Sequence, residues 1–158
     1  MIVKYPALVK PATVTHQYVI IEDFFPTILE LAGIKDYKTV QKVDGISFVP
    51  FLKNPSLKND TRALIWHYPN KWQNTLEYGI NYFSAIRQGD WKLVYNLRNN
   101  TAQLYNLKDD IGEHKDLFNT APAKAKELTE LLGTRLKEMN ASMPVNRETG
   151  EHVAWPGK

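Results

Sequence analysis

Four histidines, seventeen carboxylates and a short run of charge at residues 84–96 are the groups in this 158-residue chain that could do chemistry. Histidine serves as proton shuttle or metal ligand, but His16, His67, His114 and His152 stand far apart and form no HxxxH or HxH pair. A zinc site built from them would need several long-range coincidences. His67, in "IWHYPNKW", is the most informative of the four. It ends a β-type run just before a polar loop, where a side chain either points into a cleft or is hydrogen-bonded into the strand end. The acids crowd at "DDIGEHKD", residues 109–116. An EF-hand loop wants glycine sixth and glutamate twelfth, whereas Gly112 comes fourth from Asp109, so a capped turn ahead of the last helix is expected. Asp44 in "VDGIS" sits at an Asp-Gly turn with no second carboxylate beside it to make an acid–base pair.

The charged run is "SAIRQGDWKLVYN", with Arg87, Asp90 and Lys92 gathered around Gly89. A catalytic cluster, an anion site and the polar rim of a turn are all compatible with those types. The period-two alternation puts Ala85 and Arg87 on one strand face and Ile86 on the other. Beyond the bend, Trp91, Leu93 and Tyr95 share a face opposite Lys92 and Val94. That pattern is a hairpin whose apolar side chains anchor a core and whose cations can pair with nearby acids. The chain has no cysteine, which removes disulfides, thiolate metal sites and a Cys nucleophile. No Gly-rich phosphate loop, GxSxG elbow or dinucleotide fingerprint occurs.

The elements that must position these groups follow from periodicity and punctuation. "MIVKY" reads as a short strand. In "IEDFFPTILELAGI", Asp23 can cap a helix, Pro26 is tolerated in its first turn and Gly33 can take the left-handed stop. Phe25, Ile28, Leu29 and Ala32 make its apolar stripe. "VDGISFVPFLKNP" gives a turn and one short helical turn ended by Pro55. From residue 62 the pattern is β: "RALIWHY", "INYFSAIRQG", "DWKLVYNL" and "AQLYNL", with "RNNT" as a tight turn. Short connections among the last three strands make an antiparallel meander. A long helix closes the ordered part, with Pro122 near its first turn and Leu128, Leu131, Leu132, Leu136 and Met139 as its buried stripe. The fold class is therefore α+β: a strand and helices over 1–57, then over 58–158 a four-stranded antiparallel sheet packed against a long helix.

Composition narrows the function classes. Apolar residues make up 43%, so a real core is within reach. Twenty basic and seventeen acidic residues interleave along the chain, as in "AKAKELTELLGTRLKEM", which marks a solvated helix face rather than a phosphate-tracking stripe. Nucleic acid is thus not an expected partner. The start of the chain has two prolines and no long apolar run, so it is neither a signal peptide nor a membrane span. A strand beginning at residue 1 points to a natural chain that starts further upstream.

Taken in order, "MIVKYPALVKPATVTHQYVIIEDFFPTILELAG", "VDGISFVPFLKN", "RALIWHYPNKW", "SAIRQGDWKLVYN" and "LYNLKDDIGEHKDL" resemble the C-terminal portion of a type I sulfatase, the arylsulfatase-like branch of the alkaline phosphatase superfamily. The resemblance implies hydrolysis of sulfate esters, of a sulfated carbohydrate or an aryl sulfate, by a full-length enzyme. It also implies a formylglycine nucleophile, made from Cys or Ser in a C/S-x-P-x-R motif, and a calcium ion held by Asp and Asn. Neither can be placed on this chain. Its only S-x-P is "SMPVN", with Asn146 where the motif needs Arg, and it lies in the tail. No catalytic or metal residue is therefore assigned here. The resemblance implies that residues 1–57 end the large α/β domain and that 58–158 are the smaller subdomain, whose loops border the substrate pocket. His67, Asn70 and Trp72 are the pocket candidates on that basis, since an imidazole, an amide and an indole suit hydroxyls and a sugar or aryl face. The implied partner is the N-terminal catalytic region of the same protein, in a periplasmic or secreted enzyme. An independent carbohydrate-binding or interaction module sharing the same layout is the alternative.

Overall fold

Asp23 and Thr27 organise the first part of the chain. In the structure, a computed structural model that describes residues 1–71 and 81–158, a 3-10 turn at Ile21–Asp23 leads into helix α1, Phe24–Leu31. The Asp23 side chain is buried, and its carboxylate accepts the backbone N–H groups of Ile20 and Ile46, each at 3.0 Å. The Thr27 hydroxyl donates to the Asp23 carbonyl at 2.6 Å and accepts the N–H of Phe48 at 2.9 Å. Two polar side chains thus tie "VDGIS" to the helix start. Gly45 is required there, because a Cβ would overlap the Glu22 backbone carbonyl. Beyond it, α2 (Val49–Lys53) supplies Phe51 and Leu52, which with Phe48 form a small core, and Phe24 meets Phe48 edge-on at 5.4 Å.

Three sequence expectations change here. Asp23 stands at the helix entry without bonding the helix's own N–H groups, since its carboxylate is committed to Ile20 and Ile46. The side of α1 that is buried carries Asp23, Pro26 and Thr27, while Phe25 and Ile28 of the expected stripe are 48% and 60% exposed. Residues 1–5 form no strand, and no described segment pairs with them; an extended run needs a neighbour to bond its backbone. Gly33 does take the left-handed stop, at φ +76°.

The chain divides into two compact units, Met1–Asp60 and Thr61–Lys158. The second is a meander of β1 (Ala63–Tyr68), β2 (Phe83–Gln88), β3 (Trp91–Asn96) and β4 (Thr101–Asn106), antiparallel in the order β1-β2-β3-β4. Gly89, at φ +57°, lets the two-residue bend between β2 and β3 close. The Asn96 side chain accepts the N–H groups of Arg98 and Asn99 and so folds the next turn. Register sets Ile65, Ile86, Leu93 and Leu104 side by side in one cross-strand row. Helix α3, Pro122–Glu138, lies over that row and buries Leu128, Leu132 and Leu136 completely. The edge of β4 is closed at Leu104: its N–H donates to Asp116 and its carbonyl accepts the N–H of Leu117.

Gly133 is buried in the middle of α3, where glycine normally costs about 1 kcal/mol relative to alanine. The C-terminal tail explains it. A Cβ at Gly133 would overlap the Pro156 carbonyl, so the tail runs directly against the helix backbone. Gly133→Ala is expected to lower stability by about 1–3 kcal/mol in the intact chain. In a chain ending at residue 152 the same substitution should be neutral or stabilising, as read by thermal melts. A stabilised intact variant would contradict this packing.

Candidate functional site

β1 carries its alternate residues to opposite faces, and His67 falls on the face covered by α3, at the strand's end. It stands directly across from Ser84 of β2. One ring nitrogen, Nδ1, is 2.7 Å from the Ser84 hydroxyl, and Nε2 is 2.8 Å from the Ser142 carbonyl. A carbonyl only accepts, so Nε2 carries the proton and Nδ1 of the neutral ring accepts the Ser84 hydroxyl hydrogen. The imidazole ties β1, β2 and the segment after α3 together. No sequence pattern linked Ser84 or Ser142 to His67, and Ser142 is 75 residues away. Asn70 is exposed just past the strand, in the bend that opens the β1–β2 connection. Trp72, the third pocket candidate, lies outside the described residues.

The charges of the β2–β3 hairpin separate into distinct roles. Arg87 and Lys92 face each other across the ladder. The Arg87 Nε–H donates to the Gly89 carbonyl at 3.1 Å, and Lys92 Nζ pairs with Glu113 at 2.6 Å. The Asp90 backbone carbonyl accepts the N–H of Leu107. This is a hairpin rim rather than a nucleophile-and-base constellation.

Residues 109–116 form the expected turn. Asp110 accepts the backbone N–H of Lys115 at 2.8 Å, and this bond, followed by that from His114, holds its carboxyl below the usual range. Glu113 takes φ +57°. Asp116 accepts the N–H groups of both Leu104 and Phe118, which anchors the turn to the sheet. Burial pushes the Tyr105 phenol up, with Asp116, Glu113 and Asp110 adding to the shift. Asp110 and Asp116 are thus spent on backbone N–H groups, Glu113 on Lys92 and Asp109 on the Asn106 amide, and no group of three or more His, Cys, Asp or Glu among the described residues could hold a metal ion.

Against this geometry, residues 1–142 match the family model described as N-sulphoglucosamine sulphohydrolase, C-terminal. The chain belongs to the sulfatase family. A sulfatase of Formosa agariphila is 32% identical over 168 residues, covering 100% of this chain and 30% of its own length. An N-acetylglucosamine-6-O-sulfatase of Bacteroides thetaiotaomicron is 27% identical, covering 94% of the chain and 26% of itself. In three dimensions the chain is similar to a structure solved with its substrate D-glucosamine-2-N,6-O-disulfate, at 26% identity and a TM-score of 0.70, over 87% of this chain and 28% of the other. The chain therefore spans under a third of the length of the sulfatases it matches. The calcium and formylglycine that the family resemblance implies do not fit the residues present: the chain has no cysteine, its single S-x-P lacks the arginine, and its clustered acids are engaged by backbone N–H groups, Lys92 and Asn106.

Two measurements check the site. In mildly alkaline buffer, nitrogen NMR is expected to show His67 protonated at Nε2, with Ser84→Ala shifting the Nδ1 resonance; an Nδ1–H ring would contradict the assignment. Asp110, with its folded pKa depressed, contributes stability above the unfolded carboxylate range and loses it as pH falls through the folded value. Asp110→Asn should flatten that acid limb of the stability curve by lowering stability in the neutral region, with little change at low pH where the wild-type carboxyl is already protonated.

Proposed function

We infer that this chain is the C-terminal region of an enzyme that hydrolyses the sulfate ester of a carbohydrate, and that it is silent without the remainder of that enzyme. The observation that carries this reading is the match itself. The family model covers residues 1–142, yet the chain accounts for only 26–30% of the curated relatives, and the nucleophile motif is absent from it. A sugar rather than an aryl substrate is favoured by the relatives, among them an N-acetylglucosamine-6-O-sulfatase and a Delta 4,5-hexuronate-2-O-sulfatase. In the parent enzyme, formylglycine would supply the attacking oxygen and calcium would hold the sulfate. This chain would contribute pocket wall at the end of β1. There Asn70 would meet the sugar, with Trp72 as a further candidate contact, and His67, with both nitrogens engaged, would position the strand end that leads to Asn70.

The partner is the N-terminal catalytic region of the same protein. Of sixteen large apolar side chains exposed among the described residues, thirteen lie within Met1–Asp60. They include Ile21 in the turn before α1 and Phe25 and Ile28 on it, a concentration that a folded monomer rarely leaves to solvent. A docked catalytic region would cover them.

The pure chain is expected to release no sulfate from nitrophenyl sulfate or sulfated amino sugars, with or without calcium. Joined to the catalytic region of its own reading frame it should turn over, and Phe25→Asp with Ile28→Asp should cut that activity at least about tenfold. The same pair should reduce self-association of the isolated chain in sedimentation. Robust turnover by the pure chain would overturn the reading, as would a reading frame upstream of Met1 that lacks C/S-x-P-x-R.

A further inference from the structure

Beyond residue 142, where the family match ends, the chain folds back on α3. The helix stops in a left-handed turn: Asn140 takes φ +52°, and the N–H of Ala141 donates to the Leu136 carbonyl at 2.9 Å. Met143 then enters the core. A small hairpin follows, in which Val145 bridges His152 and the N–H of Asn146 donates to the Glu151 carbonyl. The N–H of Val153 donates to the Pro144 carbonyl at 2.9 Å and closes the hairpin at its base. Val153 and Trp155 pack against the same core as Met143.

The return runs backwards along the helix. The Pro156 carbonyl lies against Gly133, and Gly157, at φ +79°, lies against Glu130, one turn nearer the helix start. A Cβ at Gly157 would stand 2.8 Å from the Glu130 Cα, closer than packed carbons come. Glycine at both positions therefore lets two backbones touch, and Pro156 is buried in the seam. Docking there closes residues 139–156 into a loop with both ends fixed on α3. Ser142 sits inside that loop. It is exposed, and it offers its backbone carbonyl, which accepts the His67 Nε2–H at 2.8 Å. A backbone acceptor has no rotamer of its own. Its place is set by the anchors on either side: the α3 turn before it and, after it, Met143 and the Pro144–Val153 bond.

We propose that residues 153–157 are a clasp that positions the His67 end of β1 through Ser142. With Trp155 and Pro156 seated on the core and on α3, Val153 holds Pro144, and the Ser142 carbonyl stays where His67 can donate to it. With the clasp released, the hairpin keeps only its own short-range bonds, and the His67 Nε2–H turns to water. His67 still meets Ser84 within the ladder, so β1 and β2 stay paired while the strand end that leads to Asn70 loosens. The clasp residues act through His67 and are positioning residues. Their consequence for substrate rests on the proposed function, in which Asn70 meets the sugar; the link to His67 does not.

The test is solvent exchange of the His67 Nε2–H, read by nitrogen-edited NMR at low temperature on the 158-residue chain. Trp155→Ala and Gly157→Ala are each expected to speed it at least about tenfold, while the amides of Ile86 and Leu93 keep their protection. Arg147→Ala, in the exposed part of the hairpin, should leave it unchanged. Gly157→Ala removes no buried side chain, so it carries the test even where Trp155→Ala loosens the core. In the joined polypeptide, the same two substitutions should raise KM for a sulfated amino sugar at least about threefold with kcat little changed. Unchanged exchange of the His67 proton in both variants would overturn the clasp. So would acceleration shared equally by Ile86 and Leu93, which marks general loosening. Turnover with an unaltered KM would overturn its role at the pocket. Absence of turnover in the joined polypeptide counts against the proposed function, whereas the exchange readout decides the clasp either way.

Discussion

The row Ile65–Ile86–Leu93–Leu104 pressed beneath Leu128, Leu132 and Leu136 is the contact on which the second unit depends. Burying a side chain of this size is worth roughly 1.5–3 kcal/mol, and this row and helix stripe concentrate several of them in one place. Everything chemical in the unit is hung on that contact. It fixes which face of β1 carries His67 and which carries Trp66 and Tyr68. It sets Arg87 opposite Lys92, and it holds the 109–116 turn against the β4 edge through Asp116 and Leu117. A slip of one residue in register would exchange every one of these faces.

The first unit is built on a different principle. Its centre is polar: Asp23 and Thr27 satisfy the backbone of Ile20, Ile46 and Phe48 and thereby shape the path of the chain around α1. Such satisfied buried bonds specify a conformation, at about 0.5–1.5 kcal/mol each in net stability. The apolar side chains that would add the larger share point outward instead, at Ile21, Phe25 and Ile28. On the proposed function, this is the surface that the catalytic region would cover.

Much of this was legible in the sequence because it rests on local patterning. The four strands, the α3 stripe, the left-handed Gly33 and the bend at Gly89 are written as period, punctuation and backbone preference over a few residues. What was not legible depends on contacts distant in the chain. The apolar stripe of α1 has the right period, yet periodicity does not say whether the partner is within these residues. Asp23 has the type of a helix cap, but its carboxylate is claimed by Ile46, 23 residues on. His67 offered a cleft or a tied strand end on equal terms, and only the approach of Ser142 decides how its ring is held. The run at residues 1–5 has strand composition without a strand to join among the described residues.

The proposed function makes the second unit self-sufficient and the first one reliant on the catalytic region. Native-state amide hydrogen exchange on the 158-residue chain measures that difference directly, because protection tracks the free energy of local opening. The account predicts that β2, β3 and α3 exchange only through global unfolding of the second unit. Helices α1 and α2 should exchange orders of magnitude faster and gain protection once the catalytic region is joined. Equal, global protection across α1 and the β2–β3 ladder in the isolated chain would contradict it.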